Sequence, residues 1–193
     1  MRILLDQDQV LANWVGRVLE WYNEDHGTKH SVDDVHDWGL SILGESGKYF
    51  VRSVIRYPDF YQDLEPIPGA IEGVKALIDK GHDVVIVSAV PPSAGHCYHG
   101  KLVWLRKHMP FFDLNNFVAA QKKQLVSGDI LVDDNTKNLE AFAPYGTAIA
   151  FDYHWNDDFQ GLFVSNWTEL LTLIDRIENE TGELWDASTE QRP

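Results

Sequence analysis

Apolar residues along the chain fall into short runs that alternate with stretches of helical spacing. Runs of three to six residues, rich in Val, Ile, Leu and Phe, predict buried strands at 3–5, 83–87, 117–119, 130–132 and 146–151. Apolar positions three and four apart predict helices at 13–25, 70–80, 98–108, 136–143 and 167–180, with a loose polar tail from Thr181. Because strands alternate with helices, the pattern predicts an α/β fold: a Rossmann-like parallel sheet with helices on both faces.

Residues 14–64 depart from this alternation. The segment is rich in aromatic residues and shows no strand-like alternation, so we predict short helices that form a small lid. A rigid Pro66-Ile67-Pro68-Gly69 connector then leads back into the regular pattern. The predicted organisation is an α/β core of residues 1–13 and 65–193, with a helical cap of residues 14–64 inserted after the first strand.

Composition narrows the class of protein. An apolar fraction of 44% is ample for a packed core, and no run approaches the ~18 apolar residues of a transmembrane helix. The chain enters its first strand without a basic and apolar leader, and the single cysteine, Cys97, fits a reducing compartment. A cytoplasmic location is therefore expected. The net charge of −14 argues against a nucleic-acid polymer as partner, although a small anion could still bind a local cationic site.

Polar side chains follow four of the predicted strands. The first strand ends in Asp6 and Asp8, two residues apart, and the later ones are followed by Ser88, by Lys123 and by the pair Asp133-Asp134. The carboxyl ends of parallel strands lie on one edge of the sheet, so these residues are expected to converge. Each is ordinary by itself, since a serine after a strand is usually a turn residue and a lysine is usually a surface charge. Their joint occurrence in this order is hard to explain by chance.

The converging groups have a joint chemistry. Several carboxylates make a hard oxygen site suited to Mg²⁺, and a hydroxyl, a lysine and backbone N–H groups suit a phosphoryl group. One carboxylate near such a metal can attack phosphorus, and a second can transfer the proton.

The motifs resemble those of the haloacid dehalogenase (HAD) superfamily of phosphohydrolases. Within it, the sequence is most similar to the 5′(3′)-deoxyribonucleotidases, which carry a helical cap after the first motif. The stretches that carry the resemblance are Leu5-Asp6-Gln7-Asp8-Gln9-Val10-Leu11-Ala12, Leu64-Glu65-Pro66-Ile67-Pro68-Gly69-Ala70, Lys101-Leu102-Val103-Trp104, and residues 123–134 from Lys123 to Asp134. They span nearly the whole chain and are weakest in residues 14–64.

The resemblance implies roles for the four acids. Asp6 would be the nucleophile, and Asp8 the general acid and base that protonates the ester oxygen and then activates water. Mg²⁺ would be bound by Asp6, by the backbone carbonyl of Asp8 and by Asp134, with Asp133 supporting.

It also implies a substrate site. Ser88, the N–H of Ala89 and Lys123 would hold the phosphate. Trp14, eight residues after Asp6, falls where that family places an aromatic ring against the base or sugar. Trp38 is a second candidate platform for a nucleobase, since a base stacked on an aromatic ring gains about 1–3 kcal/mol.

The expected activity is hydrolysis of deoxyribonucleoside monophosphates by a Mg²⁺-dependent phosphomonoesterase through an aspartyl-phosphate intermediate. Its expected partner is a small phosphate ester, a nucleotide, with no membrane or nucleic-acid polymer; a homodimer is one alternative for the assembly. Three other functions stay open: a HAD phosphatase for another small ester, a phospho-acceptor module like response-regulator receivers, and a non-catalytic phosphate-binding domain.

Two departures from the family pattern affect substrate preference more than the reaction. Gln9 stands where glycine is usual after the second aspartate, and Ser88-Ala89-Val90 replaces Thr-Ser-Pro.

Other polar residues fit ordinary structural roles. His96 and His99 flank Cys97, but no second cluster with zinc-ligand spacing exists in the sequence, so solvated histidines and a buried cysteine are expected. Asp157 and Asp158 are expected in an exposed loop.

Overall fold

A parallel sheet forms the centre of the protein. A computed structural model describes residues 1–57, 59–90 and 95–189, with side chains described up to residue 180. Within these residues the strands are β1 (Arg2–Leu5), β2 (Asp83–Ser88), β3 (Phe117–Ala119), β4 (Ile130–Asp133), β5 (Thr147–Phe151) and β6 (Leu162–Val164). Their order is β3-β2-β1-β4-β5-β6, and each neighbouring pair is parallel. The predicted α/β fold is confirmed.

Helices cover both faces of this sheet. They are α1 (Trp14–His26), α2 (Gly44–Val54), α3 (Ala70–Asp79), α4 (Gly95–His108), α5 (Thr136–Phe142) and α6 (Trp167–Thr189). Alternate side chains of a strand point to opposite faces, so Ile3 and Leu5 of β1 join one buried apolar cluster and Leu4 joins another. Helices α1, α3, α4 and α6 contribute to the first cluster, and α5 contributes to the second.

Between β1 and α3, the described part of residues 14–64 is helical. It contains α1, α2 and the short 3₁₀ turns Val32–Asp34 and Ser41–Leu43. Two backbone hydrogen bonds close its base: Asn13 N–H donates to Glu65 O, and Ile67 N–H donates to Leu11 O, both at 2.8 Å. The division into core and cap stays a prediction, because the buried residues of α1 belong to the same apolar cluster as β1.

The local signals at helix ends were informative. Helix α1 ends at His26, and Gly27 takes a left-handed φ of 65° while its N–H donates to Asn23 O. Ser31 precedes the 3₁₀ turn Val32–Asp34, and its N–H donates to Oδ2 of Asp34 at 2.8 Å.

The structure differs from the sequence prediction in two elements. Strand β6 was not predicted, because three apolar residues at the edge of a sheet give too short a pattern. Helix α6 continues to Thr189 where a loose tail was expected from Thr181. One glycine inside a helix costs only about 1 kcal/mol, so Gly182 does not end it.

Among the described residues, no helix combines the length and the apolar character needed to cross a membrane.

Candidate active site

Lys123 joins two of the predicted acids at the carboxyl edge of the sheet. It lies in a 3₁₀ turn after β3, and its side chain is almost fully buried. Its Nζ is 2.7 Å from Oδ1 of Asp6 and 2.6 Å from Oδ2 of Asp133. Burial opposes the charge of this lysine, but the two carboxylates more than compensate and raise the pKa of Lys123.

Asp6, Asp133 and Asp134 form a cluster of buried carboxylates. Each offers an oxygen within 4.8 Å of the others. Burial and the nearby Asp133 and Asp6 charges raise the pKa of Asp134 well above its usual value, and burial raises the pKa of Asp133 to about 6. Like charges at this spacing favour a bound cation.

The donors of this cluster fit Mg²⁺. Hard carboxylate oxygens are the ligands that this ion prefers, and Oδ1 of Asp134 is buried with no hydrogen-bond partner among the described residues. A buried acceptor of this kind is costly unless a partner satisfies it. Asp133 is the least available of the three, since Lys123, the Asn135 N–H and the Asn138 amide all donate to it.

A second buried lysine connects Asp8 with the predicted phosphate serine. Lys101 Nζ lies 2.7 Å from Oδ1 of Asp8 and donates to Ser88 Oγ at 2.9 Å. Burial raises the pKa of Asp8 although Lys101 acts in the opposite direction. Ser88 is fully buried at the end of β2, and Ala89, which follows it, is exposed.

Lys101 lies in one of the motifs that carry the family resemblance, but the resemblance implies no role for it. The helical spacing does indicate that Lys101 is buried, because Lys101 occupies the same face of α4 as Cys97, Trp104 and Leu105. A charged residue in such a stripe needs a buried partner.

The unusual Gln9 has a structural role in the turn after β1. Its backbone keeps the left-handed conformation that glycine adopts easily, with φ 58°. Its side-chain Oε1 accepts a hydrogen bond at 2.7 Å from the N–H of Val15, in the first turn of α1. A left-handed backbone conformation costs a non-glycine residue roughly 1–2 kcal/mol of folding free energy. The hydrogen bond from Val15 offsets about 0.5–1.5 kcal/mol of this cost. The amide therefore ties the catalytic-motif turn to α1.

The two predicted aromatic platforms contact each other, and Trp38 is linked to Asp134 through Trp155. The rings of Trp14 and Trp38 are stacked with centroids 6.1 Å apart, and Trp38 is 45% exposed. Trp38 also lies 6.1 Å from Trp155, whose indole N–H donates to Oδ2 of Asp134 at 3.1 Å. Trp38 and Trp155, with Asn135 and Lys137, line an open cavity of about 260 Å³.

The remaining residues singled out in the sequence are structural. Cys97 is fully buried, and burial raises the pKa of its thiol. Asp157 and Asp158 are exposed, as expected. Trp155 was not predicted as a site residue, since no sequence pattern links it to Asp134.

The fold is similar to that of solved HAD-like hydrolases. A HAD-family hydrolase from Deinococcus radiodurans, solved with bound phosphate and sodium, matches 88% of this chain and 92% of its own, with a TM-score of 0.59 and 12% identity. A conserved haloacid dehalogenase-like protein of unknown function from Agrobacterium tumefaciens matches with a TM-score of 0.58 and 14% identity, over 92% and 98% of the two chains.

A narrower family follows from sequence similarity. The model of the family "5' nucleotidase, deoxy (Pyrimidine), cytosolic type C protein" matches residues 1–179, and the chain belongs to this family. It is similar to a "Putative 5'(3')-deoxyribonucleotidase" of Staphylococcus epidermidis, 31% identical over 181 residues that cover 92% of this chain and 97% of the relative. A protein of the same name from Staphylococcus aureus is 33% identical, over 91% and 97% of the two chains. The chain thus has a HAD-like fold and is a phosphatase of the 5′-nucleotidase type.

Proposed function

We propose that this protein is a Mg²⁺-dependent phosphomonoesterase that hydrolyses deoxyribonucleoside monophosphates through an aspartyl phosphate on Asp6. The observation that supports it most is the arrangement around Asp6. Its carboxylate pairs with Lys123 and lies within 4.8 Å of Asp133 and Asp134, at the edge where Asp8 and Ser88 share Lys101.

In the first step, a carboxylate oxygen of Asp6 attacks phosphorus, forming an O–P bond as the ester O–P bond breaks. Asp8 donates its proton to the leaving nucleoside oxygen. The raised pKa of Asp8 supports this role, because it favours the protonated carboxyl that a general acid requires. Ser88, the Ala89 N–H and Lys123 hold the phosphoryl oxygens.

In the second step, Asp8 takes a proton from water, which attacks phosphorus. The Asp6 O–P bond breaks, so that inorganic phosphate leaves and the Asp6 carboxylate is restored. Mg²⁺, held by Asp6, the Asp8 carbonyl and Asp134 with Asp133 in support, would neutralise the charge on the phosphoryl oxygens and orient them.

The substrate class rests on family membership and on the aromatic residues. Trp14 and Trp38 offer stacked rings, and Trp38 contacts Trp155, which donates to Asp134; such rings suit the base or sugar of a nucleotide. In this proposal residues 14–64 act as a cap over the core of residues 1–13 and 65–193, limiting substrate size and excluding water.

The first prediction concerns Asp6. Asp6→Asn should lower turnover of a panel of deoxyribonucleoside monophosphates by at least about 10³-fold, because the amide is not a nucleophile. Release of inorganic phosphate by purified protein with Mg²⁺ measures this. The matched control is Asp157→Asn, the same change at an exposed acid, which should retain wild-type turnover.

The same assay tests the metal and the alternatives. EDTA should abolish turnover and Mg²⁺ should restore it. Equal turnover by wild type and Asp6→Asn would remove Asp6 as nucleophile. Stable phosphorylation by acetyl phosphate without turnover would instead favour a phospho-acceptor module.

A further inference from the structure

The loop between β5 and β6 reaches back to the carboxylate cluster. Asn156, fully buried, donates through Nδ2 to the backbone carbonyls of Asp134 at 2.9 Å and Phe151 at 2.8 Å. Its Oδ1 accepts a hydrogen bond from the N–H of Tyr153 at 3.1 Å. The loop is therefore fixed against the end of β4.

Trp155 projects from this loop to the Asp134 side chain. Its indole N–H donates to Oδ2 at 3.1 Å, while Oδ1 of the same carboxylate has no partner among the described residues. One oxygen of Asp134 is thus held and the other is left free, within the cluster formed with Asp6 and Asp133.

The Trp155 ring is itself held in place. It stacks on Tyr153 with centroids 4.3 Å apart and an interplanar angle of 5°. The Tyr153 hydroxyl donates to the backbone carbonyl of Gln9 at 2.9 Å. The turn after β1 and the carboxylate after β4 are therefore connected through two stacked aromatic side chains.

We infer that Trp155 is a positioning residue for Asp134, which holds Oδ2 so that Oδ1 is presented to the Mg²⁺ of the proposed function, on which this inference rests. A group that hydrogen-bonds a metal ligand limits its rotation, and loss of such a group typically costs 10–100-fold in metal affinity or activity. The loop Tyr153-His154-Trp155-Asn156 is thus part of the metal site although it supplies no ligand.

The test separates the hydrogen bond from the ring. Trp155→Phe removes the N–H but keeps an aromatic side chain that can contact Tyr153 and Trp38. The probe is Mg²⁺ alone, titrated into EDTA-treated, ¹⁵N-labelled full-length protein. The shifts of the backbone amide signals on titration yield the Mg²⁺ dissociation constant. The wild-type protein has seven tryptophans and therefore seven indole N–H signals. The one signal that disappears in Trp155→Phe belongs to Trp155.

We expect Trp155→Phe to raise the Mg²⁺ dissociation constant roughly tenfold, and the wild-type Trp155 indole signal to shift with Mg²⁺. KM for nucleotide at saturating Mg²⁺ should change little. The matched control is Trp21→Phe, because Trp21 packs against Tyr57 and Phe60, and no described contact joins it to Asp6, Asp133 or Asp134. Its Mg²⁺ affinity should equal that of wild type.

An unchanged dissociation constant in Trp155→Phe, or a raised KM at unchanged Mg²⁺ affinity, would overturn the inference. If the variant does not fold, the Trp155 indole signal of the wild-type protein can be assigned by its contact with the Tyr153 ring. A Trp155 signal that does not move at Mg²⁺ saturation would then exclude Trp155 as a positioning residue for Asp134. Failure of wild type both to bind Mg²⁺ and to release phosphate would instead reject the proposed function.

Discussion

At the scale of single residues, two buried lysines pair with different acids of the site. Lys123 pairs with Asp6 and Asp133, whereas Lys101 pairs with Asp8 and with the Ser88 hydroxyl. A buried ammonium is costly unless it is paired, so each lysine restricts where its carboxylate can lie. Asp6 and Asp8 are only two residues apart, yet they have different partners. This supports different chemical roles for the two acids.

A prediction at this scale concerns Lys101. Lys101→Met keeps a long side chain but leaves Asp8 and Ser88 without their shared partner. We expect kcat to fall by about 10²-fold with a smaller change in KM, because Asp8 is the proposed acid–base group and misplacing it would affect proton transfer more than ground-state binding. Steady-state kinetics on the best nucleotide of the panel measures both constants.

The control is the same substitution on the same helix. Lys107→Met replaces an exposed lysine of α4 and should leave both constants unchanged. Circular dichroism on both variants checks that α4 is intact. A folded Lys101→Met protein with the kcat of Lys107→Met would contradict the proposed link to Asp8.

At the scale of elements, helices α3 and α6 pack at the point where Gly73 meets Trp167. A Cβ built on Gly73 would lie 2.1 Å from Cε3 of the Trp167 ring. The ring cannot shift freely, since it is buried and its N–H donates to the Val10 carbonyl at 3.0 Å. This contact therefore also supports the turn that carries Asp6 and Asp8.

Gly73→Ala should destabilise the protein by about 1–3 kcal/mol, because the added methyl overpacks the α3–α6 interface. Denaturant unfolding measures the change in the free energy of unfolding. Gly95→Ala, at the start of α4, is the control, because outside its own helix the added Cβ meets no described atom within 4 Å. It should be neutral or slightly stabilising. Equal stability of the two variants would show that Trp167 yields easily.

At the scale of the whole molecule, negative charge accumulates both overall and in the buried cluster. The chain carries a net charge of −14, and three carboxylates lie together at the sheet edge. Burial raises the pKa of Asp133 to about 6 from an ordinary value of 3.8, and the pKa of Asp134 is raised as well. At a pH between 3.8 and about 6, these carboxyl groups therefore bind more protons in the folded protein than in the unfolded chain.

The sign of the pH dependence follows from this difference. Where the folded state binds more protons, the free energy of unfolding falls as pH rises. We therefore expect the melting temperature in EDTA to fall as pH rises from about 4 to about 6. Mg²⁺ should reduce this fall, since a cation favours the ionised carboxylates.

Asp134→Asn is the comparison for this prediction. It replaces an acid whose pKa is raised by a neutral side chain of similar shape. The fall in melting temperature with rising pH should therefore be smaller, and so should the effect of Mg²⁺ on that fall. Metal-free wild type that becomes more stable across this pH range would contradict the assignment of raised pKa values to the cluster.

Much of the architecture could be predicted from local patterns. The buried strands β1 to β5 and the core helices appear as apolar runs and helical spacing, because burial on a sheet or along a helix face selects those periods. Strand β6 does not, since it is a three-residue edge strand with two exposed positions.

Part of the site could likewise be predicted from the sequence, and part could not. Asp6, Asp133, Lys123 and Asp134 could be placed at one edge because strand ends in a parallel sheet must meet there. The sequence by itself therefore determined the α/β class, the acids and the phosphate-type chemistry. Only the tertiary structure decided that Lys101 joins Asp8 to Ser88, that Trp155 holds Asp134 and that the Gln9 amide binds the N–H of Val15. These are contacts between side chains of different elements, whose directions depend on packing and leave no periodic trace in the chain.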